Sequence, residues 1–402
     1  MRSFMRHMGQ AAVIATRLYP PEVTAASFRM QAIAQALAES TSTGSASAEG
    51  SGVTVLTTRP PAEAGAVADP AGVTVRRARV LRDRSGAIRG YVQYMSFDIP
   101  LFFRLLATKT ELSAVLVAEA PPTTGLVTLI AARLKRRRMV YYPGDVWTDG
   151  VIAMGAAQPV VAVMRWLETR VLRGADHVLS VSPEVTERLV ALGARPERVH
   201  LVGNGVDTTV FHSRVAAAES AKPYFVYTGT MSEWQEPDIF IRALAQLHDD
   251  VELRFFGQGA VEEQLRKLAE QIAPGRVHFG GLVPPARSAE WIRGAVGALV
   301  SIVPGIGYDF ARPTKTYAAA ACGTPVLFTG PDTGAQVVRE GDLGCAVEFT
   351  PDAVAQAMRE LLEQFQNGHT EAHRERRASY IAAHHSLAAA GERGASVIRS
   401  LS

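Results

Sequence analysis

Lys315 is one of only five lysines, with Lys109, Lys135, Lys222 and Lys267, in a chain that otherwise uses arginine for its cations. It follows Arg312, Pro313 and Thr314 and opens the helical pattern Thr-Tyr-Ala-Ala-Ala-Ala. A compact ammonium at a helix start, beside free N–H groups and the positive end of the dipole, suits a phosphate. The chemistry expected is recognition of a nucleoside diphosphate, with Lys315, Arg312 and the backbone N–H groups near Thr314 and Gly229 as the set facing it.

Two glycine-bearing loops follow apolar runs. Gly257-Gln258-Gly259 comes after Phe255-Phe256, and Gly229-Thr230-Met231-Ser232 after Tyr227. Glycine permits a tight turn and close backbone approach to a ligand. Plain strand-to-helix connections would use the same residues. The fingerprint G-x-G-x-x-G is absent after the first strand and at residue 229, which argues against a dinucleotide oxidoreductase. Asp145, in Tyr-Pro-Gly-Asp-Val-Trp-Thr-Asp, stands after another apolar run. It reads as an acid/base group or substrate contact, or else as a turn aspartate. The histidines show no ligand spacing, so no metal site is expected.

These residues need elements to hold them. Short apolar runs alternate with amphipathic stretches, the pattern of a parallel α/β architecture. Strands are expected at 12–16, 53–57, 73–78, 114–117, 140–142, 177–181 and 199–202, then at 224–227, 252–256, 277–279, 298–303, 325–328 and 346–349. Helices are expected at 27–37, 126–135, 160–171 and 183–192, and later at 237–247, 260–272, 289–293, 315–321, 352–364 and 371–401. Residues 39–52, rich in Ser, Thr, Ala and Gly, read as a surface loop. The turn-rich stretch Gly203-Asn204-Gly205-Val206-Asp207 marks a seam between two doubly wound units. Such sheets bind ligands at the carboxyl ends of their strands, so a cleft between two of them is expected.

The 402 residues are too many for one ordinary core, and 47% hydrophobic with 20% charged residues fits a globular protein. A net charge of +3 is too small to argue for nucleic acid. Cys322 and Cys345 lie in apolar or Gly-rich surroundings and read as buried thiols. The N-terminal Arg2, Arg6 and His7 precede a first strand rather than a secretion signal, and no run is long enough to span a bilayer. A cytoplasmic protein is expected. The basic run Lys135-Arg136-Arg137-Arg138 reads first as a solvated helix end, and otherwise as peripheral contact with the inner face of a membrane.

Several motifs together resemble family 4 glycosyltransferases of the GT-B fold, along essentially the whole chain. They are Tyr19-Pro-Pro-Glu-Val, Ser180-Val-Ser-Pro-Glu, Val202-Gly-Asn-Gly-Val-Asp, Phe256-Gly-Gln-Gly, Pro313-Thr-Lys and Ala321-Cys-Gly-Thr-Pro-Val. The Tyr142–Asp149 segment resembles the subgroup that builds bacterial surface polysaccharides. The resemblance implies two Rossmann-like domains facing across a cleft. Residues 1–205 would bind a glycan, lipid-linked or small-molecule acceptor, and 206–383 a nucleoside-diphosphate-sugar donor. A terminal helix near 384–402 would pack back on the first domain. It implies a retaining transferase of hexosyl type, with no cofactor or metal beyond the donor substrate. Tyr308 and Asp309 would line the donor sugar, with Gly229, Thr230, Gly257, Gly259 and Thr314 at the nucleotide. Asp145 would orient or deprotonate the acceptor.

The chain also departs from the family pattern. Phe310 and Ala318 stand where many members carry two glutamates, and Thr230 and Gln235 where many carry two cations. Thr24-Ala25-Ala26 replaces paired glycines. A GT-B sugar-nucleotide epimerase and a non-catalytic sugar-nucleotide-binding subunit are the alternatives.

Overall fold

A computed structural model describes residues 12–401, apart from residues 23, 43–51, 62–63, 66–67, 84–85, 87, 89, 111–112 and 249. Two compact units divide the chain, Met1–Asn204 with Leu387–Ser402, and Gly205–Ser386.

The first unit holds β1 (Ala12–Ala15), β2 (Val53–Thr58), β3 (Val73–Ala78), β4 (Val115–Glu119), β5 (Arg138–Tyr142), β6 (His177–Ser180) and β7 (Val199–Leu201). They form one parallel sheet in the order β3-β2-β1-β4-β5-β6-β7. The central strands are apolar on both faces because helices cover both faces, so β1 and β4 are buried throughout. The edge strand β3 alternates Val and Thr or Arg and is half-exposed. The helix Ala25–Ser42 packs against the terminal helix Leu387–Arg399 through small residues. Any side chain at Gly391 would meet the Ala32 backbone at 2.7 Å.

The second unit holds β8 (Tyr224–Thr228), β9 (Glu252–Phe256), β10 (Val277–Phe279), β11 (Gly297–Ser301), β12 (Val326–Thr329) and β13 (Gly344–Val347). Its parallel order is β10-β9-β8-β11-β12-β13. Phe225, Phe240 and Phe255 anchor one face of its core, and Tyr317, Phe328 and Ile381 the other.

Three helices lie where the sequence pattern predicts none. Tyr91–Ala107 contains Pro100, which reads as a breaker, yet tertiary packing of Phe97, Leu101 and Leu105 carries the helix through it. Trp147–Ala153 begins two residues after Asp145. Asp332–Glu340 begins Asp-Thr-Gly, a turn signature, but Gly334 is demanded by the Phe328 ring, 2.3 Å from where a Cβ would sit. The single stretch expected over 371–401 is broken into His369–Ala372, Arg374–His384 and Leu387–Arg399. Helix Ala25–Ser42 runs into the expected loop at 39–52, most of which lies outside the described residues, as do Arg2, Arg6 and His7. Cys322 is a buried free thiol, whereas Cys345 is only half-buried.

Two buried arginines fix the helix Thr314–Ala321 from below. Arg377 donates from Nε to the Gly323 carbonyl at 2.8 Å and from Nη2 to that of Thr370 at 2.6 Å, and Arg374 donates to that of Cys322 at 3.0 Å. Cations suit the carbonyl end of a helix. Arg377→Ala strands two buried acceptors and is expected to cost about 1–3 kcal/mol. A thermal melt should fall by about 3–9 °C; a shift within about 1 °C would show the clamp to be dispensable.

Candidate functional site

In each sheet the strand order reverses between two neighbours, β1 and β4 in the first unit and β8 and β11 in the second. Chains leave such neighbours in opposite directions, and a crevice opens at their carboxyl ends.

In the second unit, β8 leads into residues 229–236 and β11 into residues 302–313, which end at the helix Thr314–Ala321. Pro313 at its N-cap offers no side-chain acceptor to the first N–H groups. Lys315 is the second residue of this helix, the wrong charge for that end of the dipole. Its ammonium lies 3.8 Å from the centre of the Tyr227 ring. Among the described residues it makes no ion pair, and burial alone pushes its pKa down to about 7. Gln235 supplies the neutral contact. With its amide oxygen toward Lys315, that oxygen lies 3.3 Å from Nζ, while its nitrogen donates to the Thr230 carbonyl and the Tyr227 hydroxyl. The hydrogen-bond network sets this amide orientation. The Tyr227 hydroxyl in turn donates to Thr230 at 2.7 Å.

Gly229 adopts φ +112°, and a Cβ there would sit 3.6 Å from Lys315 Cε. Its N–H does not face a diphosphate as expected, because it donates to the Phe256 carbonyl at 2.8 Å. Gly257 and Gly259 sit behind this loop. Their virtual Cβ atoms fall 2.0 Å from the Gly229 carbonyl and 1.8 Å from that of Met231. Both glycines are therefore needed for one loop to lie on the other, with Met231 N–H bonded to Gln258 at 3.1 Å.

The 302–313 loop is tied to the same corner. Val303 N–H donates to the Trp234 carbonyl at 3.0 Å, and Tyr308 stacks on Trp234 at 5.1 Å. Phe310, at one expected glutamate position, stacks on Tyr308 in turn. Asp309 accepts from Gly305 N–H at 2.8 Å and so shapes the loop. Ala318, at the other glutamate position, is buried in the helix. Arg312 lies close enough to Tyr380 to oppose the rise in its pKa caused by burial and Glu340. The structure thus gathers Gly229, Thr230, Lys315, Tyr308 and Asp309 around one pair of loops. Gly257 and Gly259 serve as backing, and Arg312 and Thr314 lead into the helix.

Asp145 belongs to the first unit, after β5. One carboxylate oxygen accepts from Val146 N–H at 2.9 Å, and the crowding of surrounding protein raises its pKa against that bond and nearby Arg29. The following helix, Trp147–Ala153, is capped from outside by buried Glu168, which accepts from Trp147 N–H at 3.0 Å, Thr148 N–H at 2.9 Å and the Thr148 hydroxyl at 2.5 Å.

Residues not singled out from the sequence share this corner. Arg17, just beyond β1, is buried with its guanidinium 4.0 Å above the Tyr94 ring and 5.8 Å from that of Trp147. Among the described residues, its Nε and Nη1 and the Trp147 Nε1 make no hydrogen bond. Glu119, the last residue of β4, accepts from Thr16 at 3.3 Å. Burial pushes its pKa up to about 7 against the pull of Arg17 and Arg29. The legible signal for Arg17 was its place at the carboxyl end of the first strand.

Lys315 yields a prediction of its own. In the unliganded protein its pKa of about 7 lies below the usual lysine value of 10.5. The unfolded chain therefore binds more protons between those values, and this contribution to stability improves as pH rises through that window. An anion beside Nζ restores the charge. At pH 8, binding of a nucleoside diphosphate should therefore be accompanied by uptake of protons. Calorimetry in two buffers of different ionisation enthalpy reads this directly. An exchange of zero protons would place the anion elsewhere.

Residues 26–205 match the family described as Glycosyl transferase 4-like domain, and residues 222–364 the one described as Glycosyl transferases group 1. Over 218 residues the chain is 32% identical to D-inositol 3-phosphate glycosyltransferase 1 of Catenulispora acidiphila. That match takes in 49% of this chain and 51% of the relative, so the chain spans about half the length of the curated relatives it matches. Its fold is similar to that of sucrose-phosphate synthase from Thermosynechococcus elongatus, with a TM-score of 0.77 and 16% identity over 98% of this chain and 99% of that one. It is similar also to Anabaena HepE, solved with UDP and glucose, with a TM-score of 0.69 and 15% identity over 97% and 99% of the two chains.

Proposed function

The chain belongs to the family 4 glycosyltransferases, and on that premise we propose that it moves a sugar from a nucleoside-diphosphate donor to a glycan, lipid-linked or small-molecule acceptor. The observation that carries the reading is Lys315, a cation without an ion-pair partner among the described residues, placed against a helix dipole. Both the burial and the dipole penalise the bare ammonium, and a diphosphate removes both penalties.

The difficult step of sugar transfer is breakage of the anomeric C–O bond, which leaves one more negative charge on the diphosphate. A cation already in place stabilises that charge without reorganising. Lys315 does this in the proposal, with Arg312 and the N–H groups at Thr314 beside it. Tyr308 and Asp309 border the sugar, and Gly229 leaves the space next to Lys315. Asp145, whose pKa is raised, takes the acceptor proton or orients its hydroxyl. Arg17 and Trp147 offer hydrogen-bond donors to the same acceptor.

A UDP-linked hexose is the first donor to try, by likeness to a neighbour solved with UDP and glucose. Retention at the anomeric carbon and a place in bacterial surface-polysaccharide assembly rest on the resemblance of the motifs. The test is product analysis of the purified chain with a panel of nucleotide sugars, with and without acceptors. Transfer or slow hydrolysis of one donor is the expected result. Conversion of the donor sugar with no acceptor present would identify an epimerase, and binding without turnover a non-catalytic subunit.

A further inference from the structure

Three helices of the first unit, Tyr91–Ala107, Pro122–Lys135 and Gln158–Gly174, pack side by side, the second against each of the other two. Their outer surface is unusual in two independent ways. It exposes large apolar side chains, Ile99 and Phe103 from the first helix, Ile130 and Leu134 from the second, and Val163 and Trp166 from the third, each 45–64% exposed. It also exposes no carboxylate. The only acidic residues in the three helices are Asp98 and Glu168, and both are buried. The cations are outside, with Arg133, Arg165, Arg170 and Arg173 all exposed. Elsewhere on the chain this separation fails, since the helices Glu262–Ile272 and Pro351–Gln366 expose Glu263, Glu270, Glu360 and Glu363.

The apolar and cationic residues meet in one place. A groove of about 430 Å³ between the second and third helices is lined by Leu126, Leu129, Ile130 and Leu134 together with Arg133 and Arg170. Lys135 is not part of this face. Its ammonium donates to the carbonyls of Leu105 at 3.1 Å and Thr108 at 2.5 Å, so it closes the end of the first helix rather than standing as a solvated helix end.

We propose that this three-helix face docks on an anionic lipid bilayer surface. Apolar side chains enter the boundary between headgroups and acyl chains while arginines hold the lipid phosphates, the division of labour of interfacial helices. A protein partner of ordinary composition would offer carboxylates to some of these arginines but gives no reason for excluding every acid from the face. Among the described residues no helix is long and apolar enough to cross a membrane.

The test is co-sedimentation of the full chain with vesicles of phosphatidylcholine alone or with a third phosphatidylglycerol. Binding is expected only to the anionic vesicles, falling at least about tenfold between 0.1 and 0.5 M salt. The triple variant Phe103→Gln/Leu134→Gln/Trp166→Gln should lose about tenfold or more in partitioning. A charge variant, Arg133→Gln/Arg170→Gln/Arg173→Gln, should lose as much, with far-UV dichroism checking that each folds. The salt titration needs no variant and stands if either misfolds. Equal binding to neutral vesicles, no binding to anionic ones, or partitioning unchanged in the folded variants would overturn the proposal. So would a dimer in sedimentation velocity that the apolar variant dissociates, since the face would then serve a second copy of this chain.

Discussion

Lys315→Ala is expected to lower the rate of sugar transfer at saturating donor by about 100- to 1,000-fold, the usual cost of removing one preorganised group aimed at developing charge. Three features set the size of the effect. The ammonium approaches from a helix N-terminus, so charge and dipole act on the same anion. It is enclosed by the Tyr227 ring at 3.8 Å and the Gln235 amide, where the dielectric screening is weak. The residues at two positions where many family members carry further cations are Thr230 and Gln235, neither of which is charged. The fold should survive, because Ala removes a half-buried ammonium whose desolvation opposes folding in the unliganded state. Lys315→Arg should rescue poorly, since a planar guanidinium does not reproduce the compact ammonium held over the Tyr227 ring. Turnover near the wild-type value in a folded Lys315→Ala chain would remove Lys315 from the chemistry.

Gly259→Ala is expected to lose both stability and donor binding. Its new Cβ would fall 1.8 Å from the Met231 carbonyl oxygen and 2.6 Å from the Met231 nitrogen. Those are backbone atoms, so no side chain can rotate out of the way, and one loop must lift off the other. Overpacking of this kind costs about 3 kcal/mol. The displaced segment is the one that carries Gly229 and Thr230 beside Lys315, so nucleotide affinity should fall with stability. A contrasting substitution is Gly275→Ala, where nothing lies within 4 Å of the added carbon. It meets only the strain of φ +74° and should leave nucleotide affinity intact. Chemical unfolding and nucleotide titration of both variants check the pair, and equal losses at residues 259 and 275 would contradict the packing argument.

The two parallel sheets were legible because buried parallel strands must be apolar on both faces, and runs such as Val115–Glu119 and Tyr224–Thr228 announce themselves. The helix that carries Lys315 was legible because Pro313 precedes a run of good helix formers, Ala318 to Ala321. Other features depend on tertiary placement that no local pattern carries. The helix with Pro100 survives because its buried face holds it, and Asp-Thr-Gly begins a helix because Phe328 leaves room only for glycine. The Gly229 N–H reads as a phosphate donor in one dimension, but in three it belongs to Phe256. Arg17 stands at the carboxyl end of the first strand, but no local pattern places it over the Tyr94 ring or beside buried Glu119.

The departing diphosphate carries more charge than the intact donor, so the central claim is tested most directly on the product. Nucleoside diphosphate affinity should be measured by calorimetry at pH 7 for the wild-type and Lys315→Met chains, both shown to be folded. Binding is expected to be at least about tenfold weaker in the variant, the loss usual for one charge-assisted contact. Equal affinities would contradict the assignment of Lys315 to the diphosphate.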